Sequence, residues 1–286
     1  MLIYLFHRRK YLDKEREAEM KANKISIAVA MIALLFANMA CINQAEADST
    51  SQLPNVIQPT QDIEAAEIPA QAEPPPPGEC DNEYMPVRAG AAWNYRLTGT
   101  VTDTFTRSIV TVNENGFTEE DTFSNGAKRE IRWRCQNGNL TALNPPSAIS
   151  ASINEEGFWV SFETTERNGV TLPANIQIGS AWQQSMTIEG IQKIYDVEYQ
   201  ARNKITNDCN AIGIEAVTID SITYEAMRVE CKTVFDIALT IKDKPNQTTL
   251  TLLSIHWYAR GIGLVKAATA AEGVSATVEL VSHSIP

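Results

Sequence analysis

Five cysteines, three histidines and an excess of carboxylates are the residues from which any chemistry in this 286-residue chain would have to be built. Cys41 closes an apolar N-terminal stretch, while Cys80, Cys135, Cys209 and Cys231 are separated by 55, 74 and 22 residues. Metal sites draw their ligands in closely spaced pairs, so this spacing gives zinc no support. Four cysteines in an exported chain read instead as two disulfides. Of the three connectivities, we favour Cys80 with Cys135 and Cys209 with Cys231, because each joins neighbours along the chain. Beyond the N-terminal segment only His256 and His283 could serve a Ser-His-acid triad. His256 falls in an expected strand beside Trp257, and His283 falls near the C-terminus. Gly273-Val274-Ser275-Ala276-Thr277 begins like a nucleophile elbow but lacks the second glycine and a following helix. A glycosidase needs two carboxylates facing across a cleft. The runs Glu119-Glu120-Asp121 and Glu155-Glu156 read as solvating charges at loops, so no catalytic residue is assigned. No calcium-binding or phosphate-binding loop pattern occurs either, and no cofactor is implied.

The aromatic residues carry more. Trp93, Trp133, Trp159, Trp182 and Trp257 all fall near or within expected strands. If the sheet curls, inward rings either fill it or line a cavity. Trp93, Trp133, Trp182, Trp257 and Tyr258 are therefore the candidate pocket-lining residues, with a filled core as the alternative.

The elements that must position these residues read as strand after strand. Phe105 to Val112 is β-branched and aromatic, Asn115-Gly116 is a turn expected to supply positive φ angles, and Phe117 to Phe123 follows, with Asn125-Gly126 as the next turn. Ile131, Trp133 and Cys135 alternate with Glu130, Arg132 and Arg134, the mark of a half-buried antiparallel strand that closes at Gln136-Asn137-Gly138. Further strands are expected at Phe158 to Phe162, Trp182 to Ile188, Ile191 to Tyr199, Tyr224 to Val234, Phe235 to Ile241, Leu250 to Tyr258, Leu264 to Ala271 and Val274 to Val281. The alanine-rich Ala267 to Glu272 could instead form a short helix. The fold class is all-β: one curved antiparallel sheet of roughly ten to twelve strands, which at that size should curl into a half-barrel or barrel. Val87 to Trp93 is echoed by Ile176 to Trp182, which leaves open two copies of one β unit, a recurring turn before a strand, or chance.

The N-terminal region sets the compartment. Lys21 and Lys24 precede an apolar run from Ile25 to Ala37 that ends near Ala40 and Cys41, the order of a secretory signal and too short to span a bilayer comfortably. Residues 1–40 are read as this signal region, with Met20 as the expected true start. Residues 41–79 hold seven prolines and seven acidic groups with no Lys, Arg or aromatic residue, which reads as a disordered acidic tether. Residues 80–286 are the all-β domain. Net charge is -11, and beyond residue 40 there are 17 basic against 31 acidic groups. Nucleic acid, which needs clustered Lys and Arg, is not an expected partner.

Three segments carry resemblances. Cys41 directly after Ala40 resembles a bacterial lipobox, with Asn38 and Met39 standing where the pattern has an aliphatic and a small residue; the resemblance implies Cys41 as a lipid anchor holding the protein at the membrane's extracytoplasmic face, while Ala45-Glu46-Ala47 offers an ordinary cleavage site and a secreted alternative. Tyr84-Met85-Pro86-Val87-Arg88-Ala89-Gly90 with Trp93 and Tyr95, and Trp257-Tyr258-Ala259-Arg260-Gly261-Ile262-Gly263-Leu264-Val265-Lys266, resemble the opening and closing motifs of uncharacterised bacterial exported proteins and lipoproteins. The sheets of those families resemble the half-barrels of LolA and LppX-like carriers. The resemblance implies fold and compartment, not substrate; together with the tether and the all-β architecture it motivates the reading of a cell-envelope lipoprotein whose β domain binds or carries a hydrophobic ligand. Beside it stand a non-enzymatic protein that docks another envelope component, its partner unknown, and a carboxylate-based hydrolase.

Overall fold

The computed structural model describes residues 78–145, 158–194, 197–241, 244–271 and 274–286. The signal region, Cys41, nearly all of the tether and Glu155-Glu156 lie outside these residues.

The described residues form twelve strands: β1 (Ala92–Gly99), β2 (Asp103–Asn113), β3 (Gly116–Phe123), β4 (Lys128–Gln136), β5 (Asn139–Ala142), β6 (Phe158–Gly169), β7 (Ala181–Ile194), β8 (Val197–Ile219), β9 (Ile222–Ile241), β10 (Lys244–Ala259), β11 (Gly263–Ala271) and β12 (Val274–Ser284). They make one antiparallel sheet in the order β5-β4-β3-β2-β1-β12-β11-β10-β9-β8-β7-β6. Every pairing is between chain neighbours except β1 with β12, which brings the two ends of the domain together. The sheet nearly closes into a barrel. At the seam, Leu140 of β5 exchanges backbone hydrogen bonds of 2.9 and 3.0 Å with Leu172, just beyond β6. Ala142 N–H donates to Thr171 Oγ1 at 2.8 Å, and Gln184 Nε2 of β7 donates to the Ala142 carbonyl at 3.3 Å. These bonds satisfy a short edge strand that would otherwise present free backbone groups.

Several sequence expectations need correction. Ala267 and its neighbours belong to β11, because their partners on β10 and β12 supply a full ladder that outweighs alanine's helical preference. Tyr224–Val234 and Phe235–Ile241 are one strand, β9. The break near residue 190 lies between Ile194 and Val197 instead, since Gly190 stays paired with Ala201 inside the β7–β8 ladder. The Asn115-Gly116 turn uses Glu114 and Asn115 as its central residues, without positive φ. Gly116 is the first residue of β3, where a Cβ would meet the Trp133 carbonyl oxygen at 2.2 Å. Positive φ is supplied elsewhere, by Asn137 at 50° and Gly138 at 77° between β4 and β5.

The internal echo has a local meaning. Gly90 N–H donates to the Ile109 carbonyl while Ile109 N–H donates to Ala91; Gly179 and Ala211 repeat this pair of bonds with Ser180. Both glycines have positive φ, at 80° and 87°. The same turn leads into β1 and into β7, and each of these strands is paired on both sides.

The main core lies inside the barrel, where Tyr95, Phe117, Ile131, Leu140, Val229 and Leu280 are nearly fully buried. Two disulfides tie it, Cys80 to Cys135 and Cys209 to Cys231. The first fastens the segment before β1 to β4, and the second joins directly opposite residues of β8 and β9.

Candidate functional site

The inner face of the sheet is not uniformly apolar. Along β3 the inward positions read Phe117, Glu119, Asp121 and Phe123, so two carboxylates occupy core positions and both are fully buried. Register decides their partners: Asp121 lies directly opposite Arg107 on β2 and directly opposite Arg129 on β4. Arg107 donates to Asp121 from Nε at 2.8 Å and from Nη2 at 3.0 Å. Arg129 donates from Nε at 3.1 Å and again from Nη2. Burial alone would raise the Asp121 pKa, but the two guanidiniums outweigh it and hold the group down to about 2. The arginines also rest on aromatic faces, Arg107 5.8 Å from the Tyr95 ring centre and Arg129 5.7 Å from that of Phe123.

Glu119 is in a different state. One oxygen lies 3.0 Å from Arg107 Nε, but that N–H is directed at Asp121. The contact is an ion pair without an aligned hydrogen bond, and among the described residues neither Glu119 oxygen has a hydrogen-bond partner. Burial pushes the Glu119 pKa up to about 7, with the Asp121 charge adding to the rise and Arg107 opposing it.

A cavity of about 230 Å³ opens beside this cluster, bordered by Arg107, Glu119 and Arg129. The rest of its wall comes from the long strands. Tyr258, His256, Ser254 and Leu252 follow one another along β10, facing the Cys209–Cys231 disulfide, Val229 and Phe235 of β9, Ile205 of β8, and Trp182 and Met186 of β7. Arg107 acts electrostatically on both His256 and Tyr258, which marks that end of β10 as the charged one. Burial lowers the His256 pKa to about 4, helped by Arg107, so the imidazole is neutral at physiological pH. Its Nδ1 lies 3.4 Å from the Tyr258 hydroxyl. From Tyr258 to Leu252 the wall runs about 20 Å at the rise of an extended strand, toward the apolar end formed by Leu252, Phe235 and Ile205.

Of the expected pocket residues, Trp133, Trp182 and Tyr258 do line this cavity. Trp93 does not: it is buried in the core, its Nε1–H donating to the Ile262 carbonyl at 2.7 Å beneath the β10–β11 turn. Trp257 also does not, because it has the opposite parity to Tyr258 on β10; its Nε1–H donates to Glu215 at 2.9 Å. The Trp159 side chain lies outside the described part, as does the Cys41 anchor. The reading of Glu119 and Asp121 as solvating loop charges is overturned, since both point into the barrel from the middle of a strand. Arg107 and Arg129 are the site residues that sequence reasoning passed over, while Glu119 and His256 were weighed there and given no place in a site. Strand parity was the available signal, because Glu119 and Asp121 share a face with Phe117 and Phe123, and Arg129 shares one with Ile131 and Trp133.

No family model and no curated protein matches the chain. Solved structures are similar to it. One is a candidate exported protein with a YmcC-like fold from Bacteroides fragilis NCTC 9343, 12% identical, with a TM-score of 0.44 over 72% of this chain and 100% of that one. Another is a candidate lipoprotein from Parabacteroides distasonis ATCC 8503, 17% identical, with a TM-score of 0.45 over 71% of this chain and 99% of the other. A third is the hypothetical lipoprotein YmcC from Escherichia coli K12, 11% identical, with a TM-score of 0.31 over 71% of this chain and 87% of that one. No ligand or activity passes from them to this chain.

Proposed function

We propose that this protein is exported, anchored to the membrane through Cys41, and holds a hydrophobic chain inside its β-barrel. The observation that carries the reading is the interior cavity. A barrel of this size could have been filled by its own side chains, yet about 230 Å³ is left open along a wall of about 20 Å, and one end of that wall is apolar. Such a space suits one extended chain better than a bulky molecule. The anchor rests on the signal pattern and on the acidic, proline-rich tether, which is long enough to hold a domain clear of a membrane surface.

The test joins the two parts. Cys41→Ser should move the chain from the membrane fraction to the soluble fraction of an oxidising compartment. The released protein, weighed under native and then denaturing conditions after exposure to a total lipid extract, should lose a non-covalent adduct on denaturation. Unchanged membrane association would overturn the anchor. A released chain with no adduct would overturn the carrier reading and turn attention to the exposed surface, where Ile212, Ile214 and Ile222 are about half exposed.

A further inference from the structure

We infer that the cavity takes a single-chain amphiphile with an anionic carboxylate head seated on Arg107 and Arg129, and that Glu119 takes up a proton as the anion enters. The inference rests on the reading of the barrel interior as a ligand site and names the chemistry of its head group.

The order of burial is the first support. Arg107, Glu119 and Arg129 all border the cavity, but only the two arginines keep accessible surface, 20% and 11%, against none for Glu119 and Asp121. A ligand therefore meets guanidinium before it meets carboxylate. Each arginine spends Nε and Nη2 on Asp121, and the Nη1 groups take no part in those bonds. Guanidinium N–H groups and a carboxylate head make strong charge-assisted hydrogen bonds. An ammonium head would face two like charges at the same place.

Charge balance is the second support. With Glu119 ionised, Arg107 and Arg129 against Asp121 and Glu119 make a neutral cluster, and an added anion would leave one uncompensated negative charge in a buried site. Asp121 cannot relieve it, being clamped by four hydrogen bonds. Glu119 can, because neither of its oxygens has an aligned donor and its protonation breaks no hydrogen bond. The groups acting on it are Arg107 from β2, Asp121 on its own strand and Arg129 from β4. Tyr258 from β10 and Tyr95 from β1, which feel its charge, are both neutral phenols whose pKa values burial raises. The neutral His256 cannot supply the positive charge.

The full chain carrying Cys41→Ser is titrated at pH 6 and pH 8 with dodecanoate, dodecan-1-ol and dodecyltrimethylammonium, following the fluorescence of the cavity tryptophans Trp133 and Trp182. Dodecanoate should bind at least about tenfold more tightly than the alcohol at pH 6, lose most of that margin at pH 8, and bind more tightly than the ammonium throughout. Glu119→Gln, isosteric and uncharged, should keep the pH 6 affinity at pH 8. Acetate at the same concentrations should give no change; a response to acetate would show a free-anion site and overturn the amphiphile. Equal binding of carboxylate and alcohol, or preference for the ammonium, overturns the head-group assignment and leaves the cavity reading standing. A wild-type pH dependence in Glu119→Gln overturns the proton uptake. Failure of all three amphiphiles to bind overturns both readings.

Discussion

Glu119 and His256 occupy the same cavity and bias stability in opposite directions. A carboxyl whose folded-state pKa is raised to about 7 binds more proton folded than unfolded, so its contribution is most favourable below its ordinary value and worsens as pH rises toward 7 and beyond. An imidazole lowered to about 4 does the reverse: its neutral form is favoured by folding, and stability is lost as pH falls from about 6.5 toward 4. The two slopes partly cancel in the wild-type protein. Glu119→Gln removes only the first, so the variant should be more stable than the wild type by about 3 kcal/mol at pH 8 and equal to it near pH 4. Denaturant unfolding across that range would check it, and parallel curves for the two proteins would contradict the assignment. Asp121 should not behave this way, because Arg107 and Arg129 keep it ionised until far lower pH.

At the scale of elements, most of the strand pattern was legible and the interior was not. The alternation of Ile131, Trp133 and Cys135 with Glu130, Arg132 and Arg134 located β4 and its faces, because one side of that strand is wet and the other dry. The same rule applied to β3 would have turned Glu119 and Asp121 inward. They were misread because a buried carboxylate is costly unless a cation is built beside it, and those cations lie on β2 and β4, whose register a single sequence does not show. Turn chemistry was similarly half legible. Asn115-Gly116 marks a reversal, but the glycine is there to let β3 pass close to β4. Gly116→Ala would put a methyl group 2.2 Å from the Trp133 carbonyl oxygen. We expect it to cost about 3 kcal/mol, read as a lowered denaturation midpoint with an unchanged slope. A loss of a few tenths would mean that the β3–β4 pair can spread at no cost.

At the scale of the whole molecule, the barrel is held from three directions. The β1–β12 ladder joins the ends of the domain, the Leu140–Leu172 pair draws the two sheet edges together, and the disulfides fix the segment before β1 and the centre of the β8–β9 ribbon. Together they hold open an interior that side chains only partly fill. The central claim is that this space is a binding site. Ser254 borders the cavity between the charged end of β10 and the apolar end, opposite Cys231. Ser254→Trp would fill the space there and leave the residues of the Arg107–Asp121–Arg129 cluster unsubstituted. The decisive measurement is the native mass of this variant beside that of the parent chain, each exposed to the same lipid extract. The account predicts an adduct on the parent and none on a folded Ser254→Trp protein; an adduct of equal mass and occupancy on both would place the ligand elsewhere and contradict it.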